Sequence, residues 1–175
     1  KPSRYIGTEV NAIRKDKADV RVLLAFQDTY EVGMSHLGLQ ILYSIINDIP
    51  YASAERCFAP WPDRENQLRE GEILLTSLER QTPLQDFDMV GFSMQYELSY
   101  TNMLNMLDLG GIPLARKDRR DGHPLIIAGG PCCFNPAPLV DFIDVFVIGE
   151  GEEIVGEIVP AVREGKKKSL HREQL

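Results

Sequence analysis

Three short loops gather the residue types that bind ligands. The first runs Asp28-Thr29-Tyr30-Glu31-Val32-Gly33 and on through Met34-Ser35-His36-Leu37-Gly38, so two carboxylates, a phenol and an imidazole lie close together. The second is Ser93-Met94-Gln95-Tyr96-Glu97, a hydroxyl and an amide after an apolar run. The third is Gly129-Gly130-Pro131-Cys132-Cys133-Phe134-Asn135-Pro136, and a fourth glycine-bearing turn, Gly149-Glu150-Gly151-Glu152-Glu153, opens an acidic helix start. Glycines let backbone approach a ligand closely. Ser93, Gln95 and His36 supply donors and acceptors, and a helix start supplies free N–H groups. Each residue also has a plainer use. Asp28 and Glu31 suit loop solvation and capping, His36 a structural hydrogen bond, and Ser93 and Gln95 the approach to the next helix. Cys132 and Cys133 are either reactive thiols or small buried residues in a tight loop. Gly38 inside a helix costs about 1 kcal/mol relative to alanine, which close packing on a sheet or a ligand would explain.

Several chemistries are absent from the sequence. There is no Gly-x-x-x-x-Gly-Lys-[Ser/Thr] loop for nucleoside triphosphates, and no Gly-x-Gly-x-x-Gly follows the first strand. No Gly-x-Ser-x-Gly elbow is present. No cysteine spacing matches zinc or an iron–sulfur cluster.

The loops can cooperate only if the elements between them bring them to one place. Val20 to Phe26 is apolar and β-rich, so it is the first strand. Asp28 to Gly33 is the loop after it. Ser35 is the expected N-cap of a helix that carries Leu37, Ile41, Leu42 and Ile45 and ends near Asn47. Ala52 to Phe58 is a second strand, Asp63 to Glu70 a polar helix stopped by Gly71, and Ile73 to Leu75 a short strand candidate. Asp88 to Ser93 is a further strand, and a helix through Tyr100, Met103 and Leu107 ends at Gly110-Gly111. Leu125 to Ala128 and Val145 to Ile148 are the last strands, and Glu152 to Glu164 is the closing helix. Strands alternating with helices predict an α/β fold, with three layers around a mostly parallel five-stranded sheet, flavodoxin-like or Rossmann-like. Continuous apolar strands fit a sheet buried on both faces. In such sheets ligands bind at the carboxyl ends of the strands, where the four glycine and polar loops fall.

The chain has 175 residues and 43% hydrophobic content, enough for one domain with a core. Its formal net charge is −7, which predicts no nucleic-acid surface. No apolar run approaches the ~20 residues that span a bilayer, so no membrane association is expected. The three cysteines, with no secretory leader, argue against a disulfide framework and for a cytoplasmic setting.

Six segments together resemble the N-terminal cobalamin-binding-like domain of an uncharacterised bacterial family of radical S-adenosylmethionine (SAM) proteins. They are Arg4 to Glu9, Asp28 to Gly38, Phe58 to Asp63, Gly91 to Tyr100, Ala128 to Pro131 and Gly149 to Glu153, and they span nearly the whole chain. The resemblance implies an N-terminal arm at 1–19, a cobalamin-binding-like α/β domain at 20–165, and at 166–175 the start of a linker to a radical domain. It implies that such a domain of the same polypeptide carries a [4Fe–4S] cluster on Cys-x-x-x-Cys-x-x-Cys and binds SAM. This chain lacks that motif, so no catalytic or metal-ligating residue is expected in it. Its implied work is to dock a corrinoid, or an unknown small-molecule or macromolecular substrate, over the radical domain. Axial-histidine cobalamin domains carry Asp-x-His-x-x-Gly, Ser-x-Leu and Gly-Gly. Here Asp28-x-Tyr30-x-x-Gly33 has tyrosine at the histidine position, Ser93-x-Gln95 keeps the serine, and Gly129-Gly130 keeps the pair. A neutral phenol replaces imidazole poorly as a cobalt ligand. The candidate cofactor-binding residues are thus Asp28, Tyr30, Gly33, His36, Ser93, Gln95, Gly129, Gly130, Gly149 and Glu150. A degenerate scaffold that packs on the radical domain, and a flavin or nucleotide binder, are the alternatives.

Overall fold

The computed structural model describes residues 2–174. In chain order the main elements are β1 (Val20–Phe26), α1 (Tyr30–Met34), α2 (Leu37–Asp48), β2 (Ala52–Phe58), α3 (Pro62–Glu70), β3 (Met89–Ser93), α4 (Tyr100–Leu109), β4 (Leu125–Gly129), β5 (Val145–Phe146) and α5 (Gly151–Lys167). The five strands form one sheet in the order β2-β1-β3-β4-β5, and every pairing is parallel. This is the flavodoxin-like order. The chain reverses direction across the sheet between β1 and β3, which marks the crevice where such folds take ligands.

Strand periodicity sorts the core into two layers. Val22, Leu24 and Phe26 join Met89, Leu125 and Ile127 beneath Leu39, Tyr43 and Ile46 of α2 and Val159 and Val162 of α5. Their neighbours Leu23, Ala25, Val90, Phe92, Ile126 and Ala128 face the other way, against Leu68 of α3 and Met103, Met106 and Leu107 of α4. Because both faces are covered, β1 is apolar at every position but Arg21 rather than alternating.

The β2 edge is sealed by polar groups. All seven β2 residues are buried although Ser53, Glu55 and Arg56 are polar. Asn47 serves the backbone of Ala54 in both directions. Glu79 accepts from Arg56 N and Nε, each at 2.7 Å, and Arg56 stacks on Tyr43. Burial pushes the Glu79 carboxyl above its ordinary range against the pull of Arg56. Residues 3–19 run along this edge. Lys15 Nζ bonds the carbonyls of Asn47, Ile49 and Ala52, which closes the end of α2. At the other end, Arg172 bonds the carbonyls of His123 and Pro124.

The elements differ from expectation in five places. The loop after β1 contains the short helix α1. Ser35 does not cap α2, because its hydroxyl donates to the Glu31 carbonyl and His36 takes the N-cap instead. Residues 73–75 form no strand; the nearest pairing is an isolated bridge between Thr76 and Pro83. β5 is only two residues long, Val145–Phe146, and the chain turns at Gly149, whose φ is +119°, before α5. The closing helix also runs three residues further than expected, to Lys167.

Candidate functional site

β3 and β4 carry glycine on one face only. Gly91 and Ser93 of β3 point to the α2/α5 side, and Gly129 of β4 pairs in register with Ser93. A Cβ on Gly91 would find only ordinary contacts, the nearest at 3.8 Å on Leu24 Cδ2. On Gly129 the nearest atom would be Val147 Cβ, also at 3.8 Å. The missing side chains leave a cavity of about 250 Å³. Its floor is β1, β3 and β4. Its roof is Leu39, Leu42 and Ile46 of α2 with Ile154, Val155 and Ile158 of α5.

The polar lining lies at the carboxyl ends of the strands: His36, Ser93, Gln95, Glu150 and Glu152. Gln95 Nε2 donates to Ser93 Oγ at 2.9 Å, which fixes both side chains. Gly130 has φ +101°, and a Cβ there would lie 2.8 Å from the Met94 carbonyl oxygen, so only glycine fits. Among the described residues no lysine or arginine lines the cavity. Its mouth is therefore acidic and its body apolar.

Of the ten residues singled out from the sequence, His36, Ser93, Gln95, Gly129, Gly130, Gly149 and Glu150 line this cavity. Asp28, Tyr30 and Gly33 do not. Asp28 accepts a 2.6 Å hydrogen bond from the Tyr96 hydroxyl and another from Thr29 N, which ties the β1 loop to the β3 loop. Tyr30 donates to Glu9 at 3.0 Å and meets Phe58 edge-on; burial and Glu9 push its phenol up. Gly33 lets α1 lie against Phe58, whose ring a Cβ would strike. Tyr30, at the position that the resemblance equates with an axial ligand, thus packs beside the N-terminal segment.

Gly91 was missed. Its signal was present: in Met89-Val90-Gly91-Phe92-Ser93 the small residues fall two apart, on one face of the strand. The cysteines are plain core residues. All three are free and buried, and burial pushes Cys57 up to about 12 and Cys133 up to about 11. Among the described residues no group of three or more His, Cys, Asp or Glu is placed to hold a metal ion. Among them, too, no helix is long and apolar enough to cross a membrane.

Exposed apolar side chains follow the carboxyl ends of the strands: Leu37 at the start of α2, Leu98 in the turn after β3, Phe134 in the turn after β4 and Ile148 after β5, Leu98 at 89% exposure and Phe134 at 72%.

Comparison with known proteins adds two findings. The family described as radical SAM proteins, N-terminal, matches residues 38–175. An uncharacterized protein of Methanocaldococcus jannaschii is 31% identical over 143 residues, 79% of this chain and 26% of its own length. The chain thus spans about a quarter of that relative.

Proposed function

The chain belongs to the family of N-terminal domains of radical SAM proteins, and from that premise we propose that it docks a cofactor or substrate for a radical domain of the same polypeptide. The observation that carries this reading is the glycine-floored cavity at the carboxyl edge of β1, β3 and β4. A solid core would place side chains at Gly91 and Gly129, and the helices above would close on them. Instead the site is apolar within and polar at its mouth, as small-molecule sites are.

A corrinoid is the cofactor we favour. The apolar cavity of about 250 Å³ floored by Gly91, Gly129 and Gly130 would take only an apolar portion of it, and Tyr30 does not line that cavity. When bound, a corrinoid supplies cobalt chemistry. The residues of this chain would hold it: glycines by leaving room, Gln95 and His36 at the mouth. The [4Fe–4S] cluster and SAM belong, on this reading, to the radical domain, because the three cysteines here are buried in the core. A reducing, cytoplasmic setting suits those free thiols.

The exposed Leu37, Leu98, Phe134 and Ile148 favour a second reading, in which the same edge packs on the radical domain without a ligand. A flavin or nucleotide is the third reading, and Glu150 and Glu152 in the lining weigh against any phosphate placed beside them, the phosphodiester of a cobalamin included. Titration with hydroxocobalamin, followed by visible absorbance, separates the readings. Saturable binding in the micromolar range supports the cofactor site. No binding at millimolar concentration leaves the packing surface.

A further inference from the structure

Helix α2 begins on a histidine, and that histidine stands in the cavity lining. The Leu39 backbone N–H lies 3.1 Å from His36 Nδ1. A backbone N–H can only donate, so Nδ1 is the acceptor and keeps its lone pair. The neutral ring then carries its one proton on Nε2. The ring plane is held as well. It packs on Phe26 with centroids 4.9 Å apart, and its Cε1 lies over Gly38, where a Cβ would come within 3.1 Å. A side chain at 38 would crowd the ring, which accounts for a glycine in the first turn of a helix that would be more stable with alanine.

We infer that His36 is a positioned hydrogen-bond donor at the cavity mouth, presenting Nε2–H to an uncharged acceptor on the ligand, and that it is not a metal ligand. The inference rests on the cavity being a ligand site. Ligation through Nε2 would need the lone pair there and the proton on Nδ1, where it would face the Leu39 N–H donor to donor. Ligation through Nδ1 would take the acceptor that caps α2. Either way the helix start is lost. The charge at the mouth sets the ligand's polarity. Glu150 and Glu152 repel an anion, no lysine or arginine among the described residues joins them in the lining, and the Gln95 amide adds a second N–H donor. A carbonyl or amide oxygen fits this mouth, and the amide-bearing rim of a corrinoid presents such oxygens.

Two measurements on one ¹⁵N-labelled protein test this. Long-range ¹H–¹⁵N correlation reads the His36 tautomer in the free protein, and hydroxocobalamin is then titrated into wild type and His36→Asn. Asparagine keeps an N-cap acceptor, so the variant retains its fold. The expected results are protonation at Nε2 before and after binding, the same visible spectrum of the bound corrinoid in both proteins, and about five- to tenfold weaker binding by the variant, one hydrogen bond's worth. A proton on Nδ1 overturns the inference, as does a bound spectrum that changes with the substitution or an unchanged affinity. If hydroxocobalamin binds neither protein, the corrinoid reading falls, and the tautomer of the free protein alone decides the inference.

Discussion

The two faces of this sheet are finished differently by the same strands. Toward α3 and α4, β3 and β4 send Val90, Phe92, Ile126 and Ala128, all buried in one continuous cluster. Toward α2 and α5 the carboxyl halves of the same strands send Gly91, Ser93 and Gly129, and a cavity of about 250 Å³ remains. A dry, closed void of that size would cost ~6 kcal/mol on the scale measured for core cavities, ~24 cal/mol per Å³. The cavity face thus gives up packing that the opposite face keeps. One face is packed solid; the other, on the function proposed above, leaves room for a ligand.

The largest test of that contrast swaps size between adjacent residues. Gly91→Leu fills the cavity, and its Cβ meets nothing closer than 3.8 Å. We expect hydroxocobalamin binding to weaken by more than about a hundredfold, on the order of 3 kcal/mol. The melting temperature should shift by less than about 3 °C, roughly 1 kcal/mol for a domain this size. Phe92→Ala, one residue along on the packed face, should cost about 3–5 kcal/mol, read as a large fall in urea midpoint, and leave affinity in the surviving fold unchanged. Equal destabilisation by both would erase the contrast.

Glu79→Gln sharpens it from the β2 edge. Arg56 is fully buried, and removing its carboxylate strands a charge, a loss of roughly 3–5 kcal/mol. Chemical denaturation should show that loss, while hydroxocobalamin affinity stays at the wild-type value.

Alkaline pH should act on the packed face. Cys57 and Cys133 both lie in its cluster, with thiols pushed up by burial to about 12 and about 11. Their folded values lie above the unfolded ones. Their contribution to stability is therefore complete below the ordinary thiol range, about 8.5, and is lost as pH rises toward 11. Denaturation series between pH 8 and 10.5 should show stability falling, less so with Cys57→Ser and Cys133→Ser together. Ellman's reagent at pH 8 should label the native protein slowly and all three thiols in denaturant.

The smallest effect belongs to Gly129→Ala. Its methyl group would sit 3.8 Å from Val147 Cβ, in ordinary contact. A small rise in melting temperature and a severalfold loss of affinity are expected from thermal melts and titration.

The fold was legible because hydrophobic periodicity reports it. β1 and β2 have the bounds the pattern gave, and the termini of α2 and α4 fall within a residue or two of expectation. What escaped was local. α1 is a five-residue turn of helix in a loop of polar residues, too short for a periodic signal. The capping choice between Ser35 and His36 turned on which side chain could reach Leu39 N. The candidate site was legible by its loops rather than by its motif. Seven of ten residues converge because parallel strands deliver their carboxyl ends to one edge. The motif-like Asp28, Tyr30 and Gly33 are drawn instead into contacts with Tyr96, Glu9 and Phe58, partners distant in sequence that no local pattern reveals. Gly91 was hidden because a strand glycine looks like a packing detail until its in-register neighbours are known.

The most direct test is isothermal calorimetry with hydroxocobalamin on wild type and Gly91→Leu side by side, with urea denaturation of both as a fold control. The account predicts saturable micromolar binding by wild type and none by the variant at equal stability. Equal binding by both would show that the cavity on the α2/α5 face is not where the ligand sits.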